Sequence, residues 1–310
     1  MRVKMKKVLM ASILWSLFLS AAVEAKLKIV TTTPDFASVA KEIGGDRVEV
    51  TSLAKGVQDP HFVDAKPSFI RLLNQADVLI EGGADLEVGW LPPVLESARN
   101  AKILTGNPGR VVASMGVSLL QIPTRPIDRS QGDVHPLGNP HYMLDPESGK
   151  IVGEQIASTL CRLDAGSCAY YRTNQAAFNQ RLDQKILDWM KTMESYRGTK
   201  IITYHNSWPY FAERFGLNIV GYVEPKPGIP PSPGHLEGLV DLITREKVKI
   251  LIMEPYFSDQ APKFLAQRTG IQVLVLYPSV APEAGIKDYF DLFDQNIARL
   301  TEILKTVEKR

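Results

Sequence analysis

The sequence predicts an α/β protein with two lobes, each a mainly parallel sheet flanked by helices, joined by one long rigid helix. Apolar strand segments alternate with helical segments in both halves of the chain, which indicates parallel sheets with right-handed crossovers. Between the halves, residues 169–196 contain neither Gly nor Pro and repeat apolar residues with a helical period. At 310 residues and 45% hydrophobic composition, the chain can build a core in each lobe.

The first 25 residues have the pattern of an export signal peptide. Lys4, Lys6 and Lys7 precede an apolar run over residues 8–22, and small residues suited to cleavage follow at 23–25. A membrane span needs about 20 apolar residues, so a removed signal is favoured over an anchor. No cysteine stands at the cleavage point, which argues against a lipid anchor. We therefore expect a protein exported to the periplasm.

Charge and cysteine content restrict the class of protein further. Lys and Arg number 36 against 34 Asp and Glu, without a basic stripe, so nothing supports nucleic-acid binding. Cys161 and Cys168 are the only cysteines and flank a turn-prone segment. In an exported protein, such an isolated pair favours a disulfide over a metal site.

The N-terminal lobe is expected over residues 26–168. Asp35 and Pro67 indicate helix starts, and the Gly44-Gly45 pair indicates the end of the first helix. Residues 121–139 are rich in Pro, Arg, Asp and Gly and are predicted to form a loop. The predicted strands are 28–30, 48–53, 76–80 and 101–104, and the predicted helices are 35–43, 67–74, 92–99 and 150–163.

The connecting helix is expected over residues 169–196 and the C-terminal lobe over 197–310. Phe178, Leu182 and Ile186 fall on one face of this helix, which at about 1.5 Å per residue could span about 40 Å. The alternative is a long helix that lies on one lobe only. In the second lobe the predicted strands are 200–204, 218–223, 249–253 and 273–277, and the predicted helices are 208–215, 235–246 and 288–307.

Three of the five histidines stand in similar polar segments far apart in the sequence: His61, His141 and His205. Neutral imidazole is the commonest protein ligand for zinc and related ions, and three imidazoles leave one position of a tetrahedral ion open. Because about 80 and about 64 residues separate them, only tertiary folding could assemble a shared site, which excludes a zinc finger. The alternative is three unrelated loop histidines.

The order of short motifs along the chain resembles the cluster A-I family, the zinc and manganese solute-binding proteins of bacterial ABC importers. Each motif is weak alone, but the resemblance runs from Lys28 to about Leu304. The matching segments are Thr31-Thr32-Thr33-Pro34, Asp59-Pro60-His61, Gly83-Ala84-Asp85-Leu86-Glu87, Asn139-Pro140-His141-Tyr142-Met143-Leu144-Asp145-Pro146, Tyr170-Tyr171 with Asn174, Tyr204-His205-Asn206-Ser207-Trp208, residues 227–233 and Glu254-Pro255.

This resemblance implies a metal held in the cleft between the lobes, captured in the periplasm and passed to an ABC permease in the inner membrane. His61 and His141 match the family's two ligands from the amino-terminal lobe. His205 matches a position where zinc-type members carry His and many manganese-type members carry Glu, so Zn²⁺ is favoured over Mn²⁺ or Fe²⁺. A monomeric binding protein is expected rather than an enzyme.

The chain departs from the family pattern at two places. Family members usually carry an Asp in the loop after the last strand, whereas Glu283 is the only acidic residue of this loop, residues 277–285. The fourth ligand is therefore expected to be Glu283, water or nothing. Zinc-type members often have a His-rich segment before the second ligand, whereas this chain has only His135, expected to be a solvated loop residue with transient metal contact as the alternative. His235 is expected at a helix start, outside the site.

A three-histidine zinc hydrolase is the competing hypothesis, since such a site also keeps an open position. The sequence has no His-Glu-x-x-His helix and no evident general base, although Glu283 could serve as one. Glu254 ends an apolar strand and is a candidate acceptor for a ligand imidazole; Asp59, Asp145 or a backbone carbonyl are the alternatives.

Overall fold

The computed structural model describes residues 25–125, 132 and 135–308. Nearly all of the predicted signal peptide and part of the 121–139 loop therefore lie outside the described residues. Within the described part of the chain, no helix is both long and apolar enough to cross a membrane.

The first half of the chain forms a four-stranded parallel sheet with the strand order β2-β1-β3-β4. Its centre is buried, as the apolar runs around Ile29 and Leu79 predict. The strands are β1 (Leu27–Thr31), β2 (Val48–Ser52), β3 (Val78–Glu81) and β4 (Arg110–Val112), and the helices are α1 (Pro34–Gly44), α2 (Pro67–Gln75), α3 (Leu91–Ala98) and α4 (Pro146–Leu163).

The strand predicted at residues 101–104 is wrong. Residues 101–103 form a 3₁₀ turn, and Arg110–Val112 is the strand that pairs with β3. The Asn100 side chain fixes the turn: it accepts a hydrogen bond from the Lys102 amide and donates to the carbonyls of Leu73 and Ala76. A short apolar run has no periodicity that distinguishes a strand from a 3₁₀ turn. Here the hydrogen bonds of Asn100, just before the run, favour the turn.

The long helix predicted between the halves is confirmed as α5 (Cys168–Met193), with one 3₁₀ turn after it at Glu194–Tyr196. Its 26 residues span about 39 Å. Its buried face includes Phe178, Leu182 and Ile186. The helix packs against α1 and α4 of the first half and against the last helix of the second.

The second half repeats the topology of the first, with a parallel sheet in the order β6-β5-β7-β8. One helix, Gln260–Thr269, was not predicted; Pro262 stands in its first turn, where proline is tolerated. The strands are β5 (Lys200–Thr203), β6 (Asn218–Tyr222), β7 (Ile250–Met253) and β8 (Gln272–Val275), and the helices are α6 (Pro209–Phe215), α7 (Pro233–Glu246), α8 (Gln260–Thr269) and α9 (Tyr289–Glu308).

The two halves are tied together by polar contacts and by a shared core. Asp35 of α1 accepts hydrogen bonds from the Ser279 hydroxyl at 2.6 Å and the Val280 amide at 2.8 Å, both in the loop before α9. Arg214 of α6 forms a two-point ion pair with Asp145 at 2.8 Å. One apolar cluster runs through both sheets and α5. These contacts resist a wide opening between the halves.

The predicted disulfide is confirmed. Cys161 in the last turn of α4 is bonded to Cys168 at the start of α5. The Asp164 side chain, between them, accepts hydrogen bonds from the Ser167 amide and the Tyr171 hydroxyl. The turn that joins the two helices is therefore fixed both covalently and by hydrogen bonds.

Candidate metal site

His61 lies in the loop between β2 and α2, and the side chain of Asp59 sets its orientation. Asp59 Oδ1 accepts hydrogen bonds from the His61 amide at 2.9 Å and from His61 Nδ1 at 2.8 Å. Burial opposes ionisation of Asp59, but the hydrogen bond and charge interaction with His61 lower the pKa of this carboxyl below its usual value. An ionised carboxylate only accepts, so Nδ1 carries the ring proton and Nε2 presents a lone pair.

His141 lies just before α4 and is held in the same way by Asn139. Asn139 Oδ1 accepts from the His141 amide at 2.9 Å and from His141 Nδ1 at 3.0 Å. Its amide nitrogen donates across to the second half, to the Asn206 carbonyl at 2.8 Å. The two Asx-Pro-His segments thus use one local geometry twice. The sequence analysis did not assign a role to Asn139, although this repetition could have indicated it.

His205 follows β5 directly and is buried at the carboxyl edge of the second sheet. Its Nδ1 is 2.6 Å from Oε2 of Glu224, which follows β6. Burial alone would lower the pKa of His205, but the hydrogen bond to Glu224 and the nearby Glu254 carboxylate outweigh it and raise this pKa. A cation at Nε2 would take the place of the second ring proton, so the same carboxylates favour metal binding.

The structure brings the three predicted histidines together. The ligand nitrogens of His61, His141 and His205 lie within 4.8 Å of one another, and the ring centroids are 5.1 to 5.5 Å apart. Nε2 of His141 is buried and has no hydrogen-bond partner among the residues described. Burial and the neighbouring histidines lower the pKa of His141 well below its usual value, so it is neutral at pH 7. Three imidazole donors facing one point suit a zinc-like ion, which takes the place of any proton at the metal-facing nitrogen.

Glu254 does not orient a ligand imidazole. Its Oε1 accepts hydrogen bonds from the Ser207 hydroxyl at 2.6 Å and from the Trp208 indole at 3.0 Å. It therefore holds the segment after His205, while Glu224, which the sequence reasoning missed, binds the imidazole itself. Glu224 ends an apolar strand as Glu254 does, and strand order alone could not show which of the two would face His205.

Glu283 lies outside the histidine group. Its Oε1 accepts a hydrogen bond from the Val57 amide at 3.2 Å, and its side chain lines a surface cavity beside α1. The expected place of His135 was wrong, because this residue is half-buried and its Nε2 is 3.1 Å from Nε2 of His61. His235 stands in the first turn of α7, where its ring contacts the Tyr222 carbonyl at 3.0 Å.

Comparison with known proteins matches most of the chain. The model of a family described as zinc-uptake complex component A, periplasmic, matches residues 29–303. The manganese ABC transporter substrate-binding lipoprotein PsaA of Streptococcus anginosus is 25% identical over 285 residues, which cover 89% of each chain. The metal ABC transporter substrate-binding lipoprotein FimA of Streptococcus parasanguinis is also 25% identical, over 91% of each chain.

Solved structures of related proteins share the whole fold. A crystal structure of ZnuA superposes with a TM-score of 0.75 at 24% identity, covering 90% of this chain and 99% of that one. The manganese-bound periplasmic metal binding protein from candidatus Liberibacter asiaticus gives a TM-score of 0.73 at 21% identity, covering 90% of this chain and 100% of that one. Two parallel sheets and a long central helix are therefore the architecture of this group.

Proposed function

Because the chain belongs to the periplasmic zinc-uptake component A family, we propose that it captures one divalent metal ion, zinc in the first place, and delivers it to an ABC permease. The family and its relatives are substrate-binding proteins of metal transporters. We propose that this chain acts in the periplasm as a monomer and has no catalytic activity. Its docking partner is the permease in the inner membrane.

One observation supports metal capture above all others: three imidazole Nε2 atoms face one another, and that of His141 is buried without another partner. Leaving a buried acceptor unpaired costs about 1–3 kcal/mol, so a cation at this point would satisfy it. We propose His61, His141 and His205 as ligands. Glu283 is the weaker candidate for a fourth, because it would have to leave the Val57 amide.

The choice of zinc follows from the donor atoms. Imidazole nitrogen suits zinc, whereas manganese favours carboxylate and carbonyl oxygen. The carboxylates beside the histidines, Asp59 and Glu224, are hydrogen-bonded to Nδ1 atoms and act as outer partners rather than ligands. Because both carboxylates already accept these hydrogen bonds, neither is placed to act as a general base. This favours metal binding over hydrolysis as the function.

Manganese is the second candidate, because several relatives are named manganese ABC transporter substrate-binding lipoproteins. To separate the two, the protein is purified from the periplasm without added metal or chelator and its metal content is measured. Stripped protein is then titrated with each ion against a competing chelator. We expect bound zinc and tighter binding of zinc; tighter binding of manganese would overturn the zinc assignment and leave metal capture intact.

A further inference from the structure

His135 reaches the histidine group from the loop before α4. Its half-buried ring lies beside His61, with ring centroids 5.1 Å apart and the two Nε2 atoms 3.1 Å apart. The loop is anchored just after it: the Gly138 amide donates to the His135 carbonyl at 3.2 Å, and the Asn139 amide donates to the Leu120 carbonyl at 2.8 Å. Asn139 also orients His141, so His135 and His141 are fixed by one short stretch of backbone.

The hydrogen bond between the two rings has a defined direction. In the neutral form that binds a metal, His61 donates its Nδ1–H to Asp59 and keeps a lone pair on Nε2, so His135 Nε2–H is the donor between the rings. The lone pair that His135 contacts is the one that His61 would give to a metal ion. His135 therefore points at the position of the ion.

The distance also fits coordination. With zinc–nitrogen bonds of about 2.0–2.1 Å, two nitrogens on one tetrahedral ion lie about 3.3 Å apart. The 3.1 Å between His135 and His61 is close to this value, so the spacing of these two nitrogens needs little change for them to share one ion. His135 is on the edge of the group whose other three nitrogens lie within 4.8 Å of one another.

We propose that His135 supplies the fourth nitrogen to the bound ion, completing a site of four imidazoles; this rests on the proposed function. When the ion binds, the His135 ring proton moves through water from Nε2 to Nδ1. The ring stays neutral, and its Nε2 lone pair turns to the ion. The two positive charges of zinc are then balanced by Asp59 and Glu224, which accept the Nδ1 protons of His61 and His205.

A fourth imidazole would make His135 a determinant of metal choice. Four nitrogen donors fill a tetrahedral zinc ion and leave no position for the oxygen ligands that manganese favours. Loss of His135 should therefore weaken zinc binding strongly and manganese binding little. The loss for zinc should exceed the roughly 10–100-fold that follows removal of an outer hydrogen-bond partner, because a direct ligand is removed.

The direct test counts the imidazoles on the ion. Protein with ¹⁵N-labelled histidine rings is loaded with one equivalent of ¹¹³Cd, a zinc substitute, and the nitrogens split by coupling to the metal are counted. We expect four of the five histidines to couple in the parent, with His235 uncoupled, and three to couple in His135→Ala. Zinc and manganese affinities are measured in parallel for His135→Ala and for the control His235→Ala, whose ring lies outside the site.

The outcomes separate the two proposals. Three coupled histidines in the parent, with unchanged zinc affinity in His135→Ala, would overturn the role of His135 and leave the proposed function standing. No coupled histidine in the parent would overturn the proposed function itself. Equal loss of zinc and manganese affinity in His135→Ala would contradict a role in metal choice, and matching thermal melting of both variants excludes a folding defect as the cause.

Discussion

At the scale of single residues, the site works because His61, His141 and His205 each have an oxygen acceptor at Nδ1. Asp59 and Asn139 hold their histidines within one local turn, whereas Glu224 reaches His205 from the neighbouring strand. Each acceptor holds the Nδ1 proton and the orientation of its ring, so Nε2 is the nitrogen available to a metal ion. The sequence could suggest Asp59, two residues before His61. It could not select Glu224 as the partner of His205, because β6 and β7 both pair with β5 and an acidic residue follows each of them.

Glu224 provides the first prediction. In Glu224→Ala, His205 loses its acceptor and an adjacent negative charge, so zinc affinity should fall about 10–100-fold. Glu224→Gln keeps an oxygen acceptor and should lose less. The control is Glu237→Ala, whose exposed carboxylate pairs with Arg268. Chelator competition gives the affinities, and equal affinity for Glu224→Ala and the control would contradict the role assigned to Glu224.

Glu254 gives a prediction about pH. Burial raises its pKa from 4.5 to about 7, and its Oε2 has no hydrogen-bond partner within the described residues. A pKa raised on folding means that the native state binds the proton more tightly than the unfolded chain. Protonated Glu254 therefore contributes to the free energy of unfolding below about pH 4.5, and this contribution is lost as the pH rises through about 7.

Glu254→Gln removes this titration while keeping the acceptor for Ser207 and Trp208. Relative to the variant, the parent should lose about 3 kcal/mol of unfolding free energy between pH 4.5 and pH 8. Urea unfolding of both proteins with chelator present measures the difference. A parent-to-variant difference that does not change with pH would show that folding leaves the pKa of Glu254 unshifted.

At the scale of elements, the sequence predicted most of the fold because its helices and buried strands carry clear periodic patterns. The α5 helix, with apolar residues on one face over 26 positions, is the strongest case. Elements with short or interrupted patterns were less predictable. The three-residue strand β4 was placed at the wrong residues, and α8, which has Pro262 in its first turn, was not predicted. Long-range contacts, such as His135 with His61, could not be predicted, because loop residues carry no periodicity that fixes where the chain returns.

The disulfide between α4 and α5 gives a prediction at this scale. Cross-linking so short a loop should contribute about 2–3 kcal/mol by restricting the unfolded chain. Urea unfolding of the double variant Cys161→Ser, Cys168→Ser should therefore give a free energy of unfolding lower by that amount. Its zinc affinity should equal that of the parent, because the bond joins the ends of two helices rather than the loops that carry the histidines. A large loss of zinc affinity in the folded double variant would contradict this separation.

At the scale of the whole molecule, the two halves share one apolar core along α5 and are bridged by Asp35 and by the Arg214–Asp145 pair. Capture and release of the ion should therefore involve small shifts of the lobes or of the loops that carry His61 and His135. A wide clamshell motion would have to break the shared core.

Solution scattering tests this rigidity. Stripped and zinc-loaded protein should differ in radius of gyration by less than about 1 Å, because α5 and the shared core limit hinge bending. Asp35→Ala, which removes the contacts with Ser279 and Val280, should increase the difference. A decrease of several ångströms on loading the parent protein would contradict the rigid arrangement.

The central claim is that His61, His141 and His205 hold one divalent ion. Its most direct measurement is calorimetric titration of stripped parent protein with zinc, beside the three single His→Ala variants and His235→Ala as the control. We predict one zinc ion per chain in the parent and control. Each ligand variant should lose several orders of magnitude in affinity, because a bond to the metal is removed. Parent-like zinc affinity in any of the three variants would contradict the account.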